Sequence, residues 1–165
     1  MVPGYGAAKA GLVQLTPLQA KHMSAALGVP DRHHGFGCWA KSPGDALVIR
    51  FRPPLCDYWI FQLCNMWQEN LDNYEEGQGY VTKYRARYEV DGAVNVVIAD
   101  QDPAVGGNWL DPGGHVQGGM SLRIILADSP PPAVTVFCVS ALDLERTGFS
   151  MLNPELGVVS GDVVE

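Results

Sequence analysis

The sequence lacks the features that most directly reveal a protein's function. No apolar stretch approaches the about 20 residues that a bilayer-spanning helix needs, and the apolar run within 1–15 is too short and broken for a secretory signal. No serine lies in a nucleophile elbow, and no cysteine belongs to a CxxC pair. We therefore expect a soluble, cytoplasmic protein that contacts no membrane and uses no cofactor.

Basic residues are also scarce. The chain has 11 Lys and Arg against 18 Asp and Glu, which gives a formal net charge of −7. These basic residues are scattered rather than clustered, so the surface would repel a phosphate backbone. We expect no nucleic-acid partner.

The composition that is present indicates one domain. A chain of 165 residues with 47% hydrophobic content is long enough to close a single core. The cysteines are spread widely, and most lie in or beside apolar runs, which favours structural side chains over a disulfide or a metal site. A disulfide and a metal site both stay open as alternatives for the four cysteines, Cys38, Cys56, Cys64 and Cys138.

The first part of the chain carries one helix signal. Thr16 is a suitable N-cap, Pro17 fits the first helical position, and 18–27 is rich in helix-forming residues. Gly28 and Pro30 then end the pattern. The sequence predicts one short N-terminal helix.

From residue 45 the hydrophobic period changes to two, which is typical of β-strands. Because no helix intervenes, the pattern predicts an all-β fold, an antiparallel β-sandwich. The domain boundaries follow as an N-terminal extension at 1–42, the sandwich at 43–142 and a C-terminal tail at 143–165. The segment 31–44 is predicted as a loop, and six strands are predicted at 45–52, 57–64, 84–89, 93–99, 120–127 and 133–140.

Asp91 and Gly92 form a strong hairpin signal. A two-residue loop would place the charged side chains of 84–89 on the same face as the apolar ones of 93–99. A three-residue loop, 90–92 with Gly92 in the left-handed conformation, sends those charges outward. It turns Tyr84, Ala86 and Tyr88 toward the core. We predict the three-residue loop.

Two connections, 65–83 and 100–119, are unusually long and rich in aromatic and polar residues. Connections longer than about 12–15 residues in compact domains are usually functional or disordered, and aromatic content argues against disorder. If successive strands alternate in direction, both connections reach the same end of the sandwich. Any chemistry is therefore expected at that end.

Four segments resemble, in order and spacing over about 43–142, the bacterial family catalogued as domain of unknown function 1214, the C-terminal module of the paired 1254/1214 proteins. They are Gly44-Asp45-Ala46-Leu47-Val48-Ile49, Tyr58-Trp59-Ile60-Phe61-Gln62-Leu63-Cys64-Asn65, Glu89-Val90-Asp91-Gly92, and Asn108-Trp109-Leu110-Asp111 with Gly114-His115 and 118–123. The resemblance implies a jelly-roll-like β-sandwich, with no agreed reaction and no established catalytic set. Six strands are fewer than the about 8 of a jelly roll, so we expect an exposed sheet edge that favours a homo-oligomer.

The candidate catalytic residues are His115 and Asp111, since a histidine on a glycine-flanked loop near a carboxylate suits acid–base chemistry. The structural alternative is that both residues hydrogen-bond the loop backbone. Adjacent histidines such as His33 and His34 point in opposite directions on an extended chain, so we predict no metal site. The candidate ligand-binding residues are Asn65, Trp67, Trp109 and Arg123.

Two functions remain open. The first is a β-sandwich module that binds a small ligand or mediates assembly at the end formed by the two long connections. The alternative is a hydrolase or lyase that uses His115 and Asp111 on an apolar or glycan-like substrate. The two differ in whether an acid lies within about 3.2 Å of an exposed His115.

Overall fold

The computed structural model describes residues 32–153 and 158–159. The helix predicted at 16–28 lies outside these residues. The described strands are β1 Arg32–Ala40, β2 Asp45–Phe51, β3 Cys56–Cys64, β4 Tyr80–Thr82, β5 Val94–Ile98, β6 Asn108–Leu110, β7 Gln117–Ala127, β8 Val134–Ser140 and β9 Val158–Val159. One α-helix, α1 Ala141–Thr147, and two 3-10 turns, Asp72–Tyr74 and Gly148–Met151, complete the described elements.

The strands form two sheets. The four-stranded sheet has the order β1-β7-β3-β4, and the five-stranded sheet has the order β6-β5-β2-β8-β9. Every neighbouring pair is antiparallel except β5 and β6, which are parallel. The predicted all-β sandwich is confirmed, and the described residues contain more strands than the six predicted.

The core lies between the sheets and is built by strand alternation. Leu47, Ile49 and Phe51 of β2 point inward, and so do the apolar residues at every second position of β3. Phe51 and Trp59 meet edge to face, with ring centroids 5.4 Å apart. This packing fixes the separation and register of the two sheets.

A second apolar cluster covers the outer face of the five-stranded sheet. Val48, Val97 and Phe137 are buried there against α1, whose Leu144 is fully buried. The Ser140 side chain accepts the backbone N–H of Asp143 and so caps the helix. The first residues of 143–165, the predicted C-terminal tail, belong to α1 and the second 3-10 turn, which form this C-terminal cover. β2 and β5 are therefore buried on both faces over most of their length.

The crossover 99–107 returns the chain so that β6 runs parallel to β5. Gly107 lies directly beneath Phe149 of the second 3-10 turn, where an added Cβ would stand 2.6 Å from Phe149 Cζ and 3.2 Å from a Val97 methyl. A side chain at this position would force the Phe149 ring to move away from the crossover. The C-terminal cover thus packs against the crossover.

The prediction of a loop over 31–44 is wrong, because β1 occupies most of this segment. β1 pairs with β7 along its whole length, from Arg32 opposite Ile125 to Ala40 opposite Gln117. Trp39 anchors it, since the indole is buried and its Nε1 donates to the Gly119 carbonyl at 2.9 Å. Gly35 and Gly37 at inward positions hide the alternation that identifies a strand.

The prediction of a strand over 84–89 is also wrong. Tyr84, predicted to face the core, is 76% exposed. The backbone of Arg87 pairs with a side chain instead of a strand: its N–H donates to Asn108 Oδ1 at 2.7 Å, and the Asn108 amide donates back to the Arg87 carbonyl at 2.9 Å. The three-residue turn is confirmed, because Glu89 N–H bonds Ala93 O at 2.8 Å and Gly92 has φ +79°.

The cysteines differ in exposure. Cys64 is buried and Cys56 is half-buried, in agreement with the structural interpretation, whereas Cys38 and Cys138 are exposed. Burial raises the pKa of the Cys56 and Cys64 thiols. No helix in the described part of the chain is long and apolar enough to span a membrane.

Candidate functional site

The two long connections meet at one end of the sandwich. The Gly119 N–H donates to the Asn65 carbonyl at 3.2 Å, and the Asp111 N–H donates to the Gln78 carbonyl at 3.0 Å. We call this end, formed by 41–44, 65–79 and 111–116, the loop end. The turns at the opposite end also join, since Asp128 N–H bonds the Leu55 carbonyl at 2.9 Å. The predicted convergence holds for 65–79 and 111–116, whereas 99–107 crosses the outer face of the five-stranded sheet and leads into β6, which is parallel to β5.

Asn65 builds the turn that follows β3. Its Oδ1 accepts the backbone N–H groups of Trp67 at 2.8 Å and Glu69 at 3.0 Å, and its Nδ2 donates to Glu69 Oε2 at 2.9 Å. This is the local hydrogen bonding for which asparagine is favoured in turns. The Oδ1 and one N–H of the amide are used inside the turn, so Asn65 shapes the site.

The turn places two large apolar side chains in solvent. Trp67 is 83% exposed and the adjacent Met66 is 52% exposed, and Val116 from the other connection is 50% exposed beside them. Together with His115 they line an open depression of about 510 Å³, completed by Asn65, Gly114 and Gln117. An exposed apolar patch rimmed by polar groups is typical of a binding surface.

His115 and Asp111 lie in the same connection but perform different tasks. Asp111 Oδ1 accepts the Gly113 N–H at 2.8 Å, which closes the turn ahead of His115. The His115 backbone N–H donates to the Pro112 carbonyl at 3.1 Å, and its imidazole is exposed in the depression. Among residues 32–153, no hydrogen bond joins this imidazole to a carboxylate.

The remaining predicted ligand-binding residues lie away from the depression. Trp109 packs in the outer cluster of the five-stranded sheet, where its Nε1 donates to the Ala99 carbonyl at 2.9 Å. Arg123 is exposed on the outer face of the four-stranded sheet, in register with His34 and Ile60 of the neighbouring strands. The structure therefore brings together Asn65, Trp67 and His115, with Asp111 behind them, and not the other two.

The surroundings of His34 on that outer face lower the pKa of its imidazole. Partial burial, then the nearby Arg123, then Arg32, lower the pKa of the His34 imidazole below its ordinary value of 6.5. His33 points to the other face of the sheet, as expected for adjacent residues of a strand. Within the described residues, no three His, Cys, Asp or Glu side chains are grouped closely enough to hold a metal ion.

Sequence reasoning missed an ion pair between a buried lysine and a half-exposed aspartate at the loop end. The side chain of Lys41 is 0% exposed, and its Nζ lies 2.6 Å from Asp100 Oδ1. Lys41 follows β1 in one sheet and Asp100 follows β5 in the other, so the pair connects the two sheets. The Lys41 backbone N–H also donates to the carbonyl of Val116, which lines the depression, at 2.8 Å. No local pattern marks a lysine as buried.

Comparison with solved structures finds the same fold in a longer protein. An uncharacterized protein from Burkholderia cenocepacia is 31% identical with a TM-score of 0.71, over 81% of this chain and 36% of that one. The chain thus spans about a third of that relative's length. The VPA0106 protein from Vibrio parahaemolyticus is 14% identical with a TM-score of 0.48, over 65% of this chain and 31% of that one. No protein-family model and no curated protein matches the sequence.

Proposed function

We propose that this chain is a β-sandwich module that binds a small ligand at the loop end, with Trp67 as the contact platform. The exposure of Trp67 on a turn fixed by the hydrogen bonds of Asn65 is the observation that carries the proposal. A covered aromatic side chain buries about 150–250 Å². At about 25 cal/mol per Å², complete coverage of this side chain sets an upper bound of roughly 4–6 kcal/mol on the gross burial energy.

The chemistry of the depression favours a ligand that contains a ring. The indole face stacks on flat apolar surfaces, and Met66 and Val116 extend the apolar area on either side. The His115 imidazole and the Gln117 amide supply hydrogen-bonding groups at the margin. A sugar or an aromatic ring that carries hydroxyl groups matches both properties.

Tryptophan fluorescence and ligand-detected NMR test this proposal with a panel of monosaccharides, disaccharides and phenols. Trp39 and Trp59 are 1% exposed and Trp109 is half-buried in the outer cluster, so Trp67 dominates the response to a ligand at the loop end. We expect binding by at least one ring compound, lost in Trp67→Ala and kept in Leu55→Ala, which removes an apolar side chain that is 79% exposed at the opposite end. Binding that survives Trp67→Ala, or a panel without binders, contradicts the proposal.

The acid–base alternative has less support. The exposed His115 imidazole is available to a substrate, but Asp111 Oδ1 is used by the Gly113 N–H. Acid–base catalysis would need the connection to rearrange so that the carboxylate reaches the imidazole. If a panel ligand is also consumed, His115→Asn and Asp111→Asn should each abolish turnover while ligand binding remains.

We further propose membership of the family catalogued as domain of unknown function 1214 and a jelly-roll-like chain path. The segments that carry the resemblance form β2, the central strand β3, the turn at Gly92, and β6 with the start of β7. The alternation of β1, β2 and β3 between the two sheets supports the jelly-roll-like path, and the parallel β5–β6 pair departs from it. An alignment with family members tests the proposal, which fails if these segments fall at other strand positions.

A further inference from the structure

The edge strands of the two sheets differ greatly in length. β4 and β6 have three residues each and β9 has two, whereas β1 has nine residues paired with β7 in unbroken register. Short strands protect a sheet edge because they offer few open backbone groups. β1 contains no proline, no lysine and no bulge, and its one charged residue, Arg32, lies at its first position.

The open backbone groups of β1 can be assigned residue by residue. The Lys41 N–H donates to the Val116 carbonyl, and this pair continues the register of Ala40 with Gln117. In an antiparallel pair, hydrogen-bonded positions alternate, so the odd-numbered residues of β1 bond to β7. The even-numbered residues Arg32, His34, Phe36, Cys38 and Ala40 point their N–H and C=O groups outward. Within the described residues, no strand pairs with this side of β1.

We propose that a second copy of this chain occupies this edge, with the two β1 strands antiparallel about a two-fold axis at Phe36. Phe36 is the central residue of β1, so this register pairs all nine residues of each strand. Every outward backbone group then meets one from the other copy, which gives about ten main-chain hydrogen bonds. The two four-stranded sheets become one continuous sheet.

The side chains of β1 are complementary to themselves in this register. The cation Arg32 lies opposite Ala40 of the other copy rather than opposite a second arginine, and His34 lies opposite the smaller Cys38. Phe36 meets Phe36 across the axis, an aromatic pairing that is favourable between antiparallel strands. β1 has no acidic residue, so the net charge of −7 is not concentrated at this contact. These features favour a second copy over an unrelated partner.

Sedimentation velocity of the full chain over a range of concentrations tests the proposal. We expect a dimer for the wild type and for Phe36→Leu, and a monomer for Phe36→Lys, because two lysines would then face each other at the axis. Cys38→Pro is a second test, since proline at an even position removes an outward N–H and leaves the bonds to β7 intact. Circular dichroism checks that each variant is folded.

Hydrogen exchange then identifies the occupant of the edge. In the dimer, the amides of His34, Phe36 and Cys38 should be protected, and this protection should be lost in Phe36→Lys. A wild-type monomer overturns the proposal, whether these amides exchange freely or are protected by another segment of the same chain. A dimer that persists in both Phe36→Lys and Cys38→Pro also overturns it. Trp67→Ala should leave the dimer unchanged, which separates this result from ligand binding at the loop end.

Discussion

Replacing Asp100 by asparagine tests how a buried lysine is accommodated at the loop end. The Lys41 side chain is 0% exposed, while Asp100 is 49% exposed and lies 2.6 Å from Nζ. Asparagine keeps the shape of the side chain and removes its charge. The Lys41 ammonium group then stays buried without an opposite charge beside it. Removing the lysine instead leaves the Asp100 carboxylate, which water can still solvate.

The two single substitutions should therefore have unequal effects. Removing one partner of a buried pair costs about 3–5 kcal/mol, and we expect about 3 kcal/mol for Asp100→Asn because water reaches the pair from the side of Asp100. Lys41→Met keeps most of the packing and should change the free energy of unfolding by less than about 1 kcal/mol. The double variant should resemble Lys41→Met alone.

Urea denaturation of the three variants measures these differences directly. The free energy of unfolding should rank Asp100→Asn well below both Lys41→Met and the double variant, and the slope with denaturant should stay constant. If Lys41→Met is as destabilising as Asp100→Asn, then the ammonium contributes favourably in its own right. The assignment of the lysine as the costly partner would then be refuted.

Two further predictions concern the four-stranded sheet. Gly118→Ala should lower the free energy of unfolding by about 2–3 kcal/mol, because the added Cβ would overlap the Cys64 carbonyl and the Trp39 indole. Urea denaturation measures this loss, with Ser121→Ala on the same strand as the control. A loss no larger than that of the control would contradict the prediction. His34 has a lowered pKa in the folded state, so the unfolded chain binds more protons below about pH 6.5 and stability should fall as pH drops. Thermal melts from about pH 8 to about pH 5 should show a flatter pH dependence for His34→Gln than for the wild type, and equal slopes would exclude His34 as the cause.

The strands that could be predicted from the sequence are those whose signal is local. β2 ends before a proline pair, and Asp91 and Gly92 specify a turn by their own backbone preferences. β1 could not be predicted, because its inward positions include glycines and its identity depends on β7. The segment 84–89 looks like a strand, but its backbone bonds to the side chain of Asn108, which lies far along the chain.

The location of the candidate site could be predicted from the sequence, but the contacts between its side chains could not. Strand alternation brings 65–79 to the loop end, the crossover into β6 brings 111–116 there, and the exposed Trp67 lies where they meet. The separation of His115 from the Asp111 carboxylate depends on how a glycine-containing turn closes on its own backbone. The burial of Lys41 depends on the approach of two sheets, which no short stretch of sequence records.

The crossover between β5 and β6 is held at two points by different parts of the molecule. Lys41 secures it near Asp100, and Phe149 closes over its far end at Gly107. The second 3-10 turn therefore acts on the opposite side of the five-stranded sheet from the depression, through a single stretch of backbone. A change in α1 or the second 3-10 turn would therefore shift the crossover backbone, then Lys41 and, through the Val116 carbonyl, the wall of the depression.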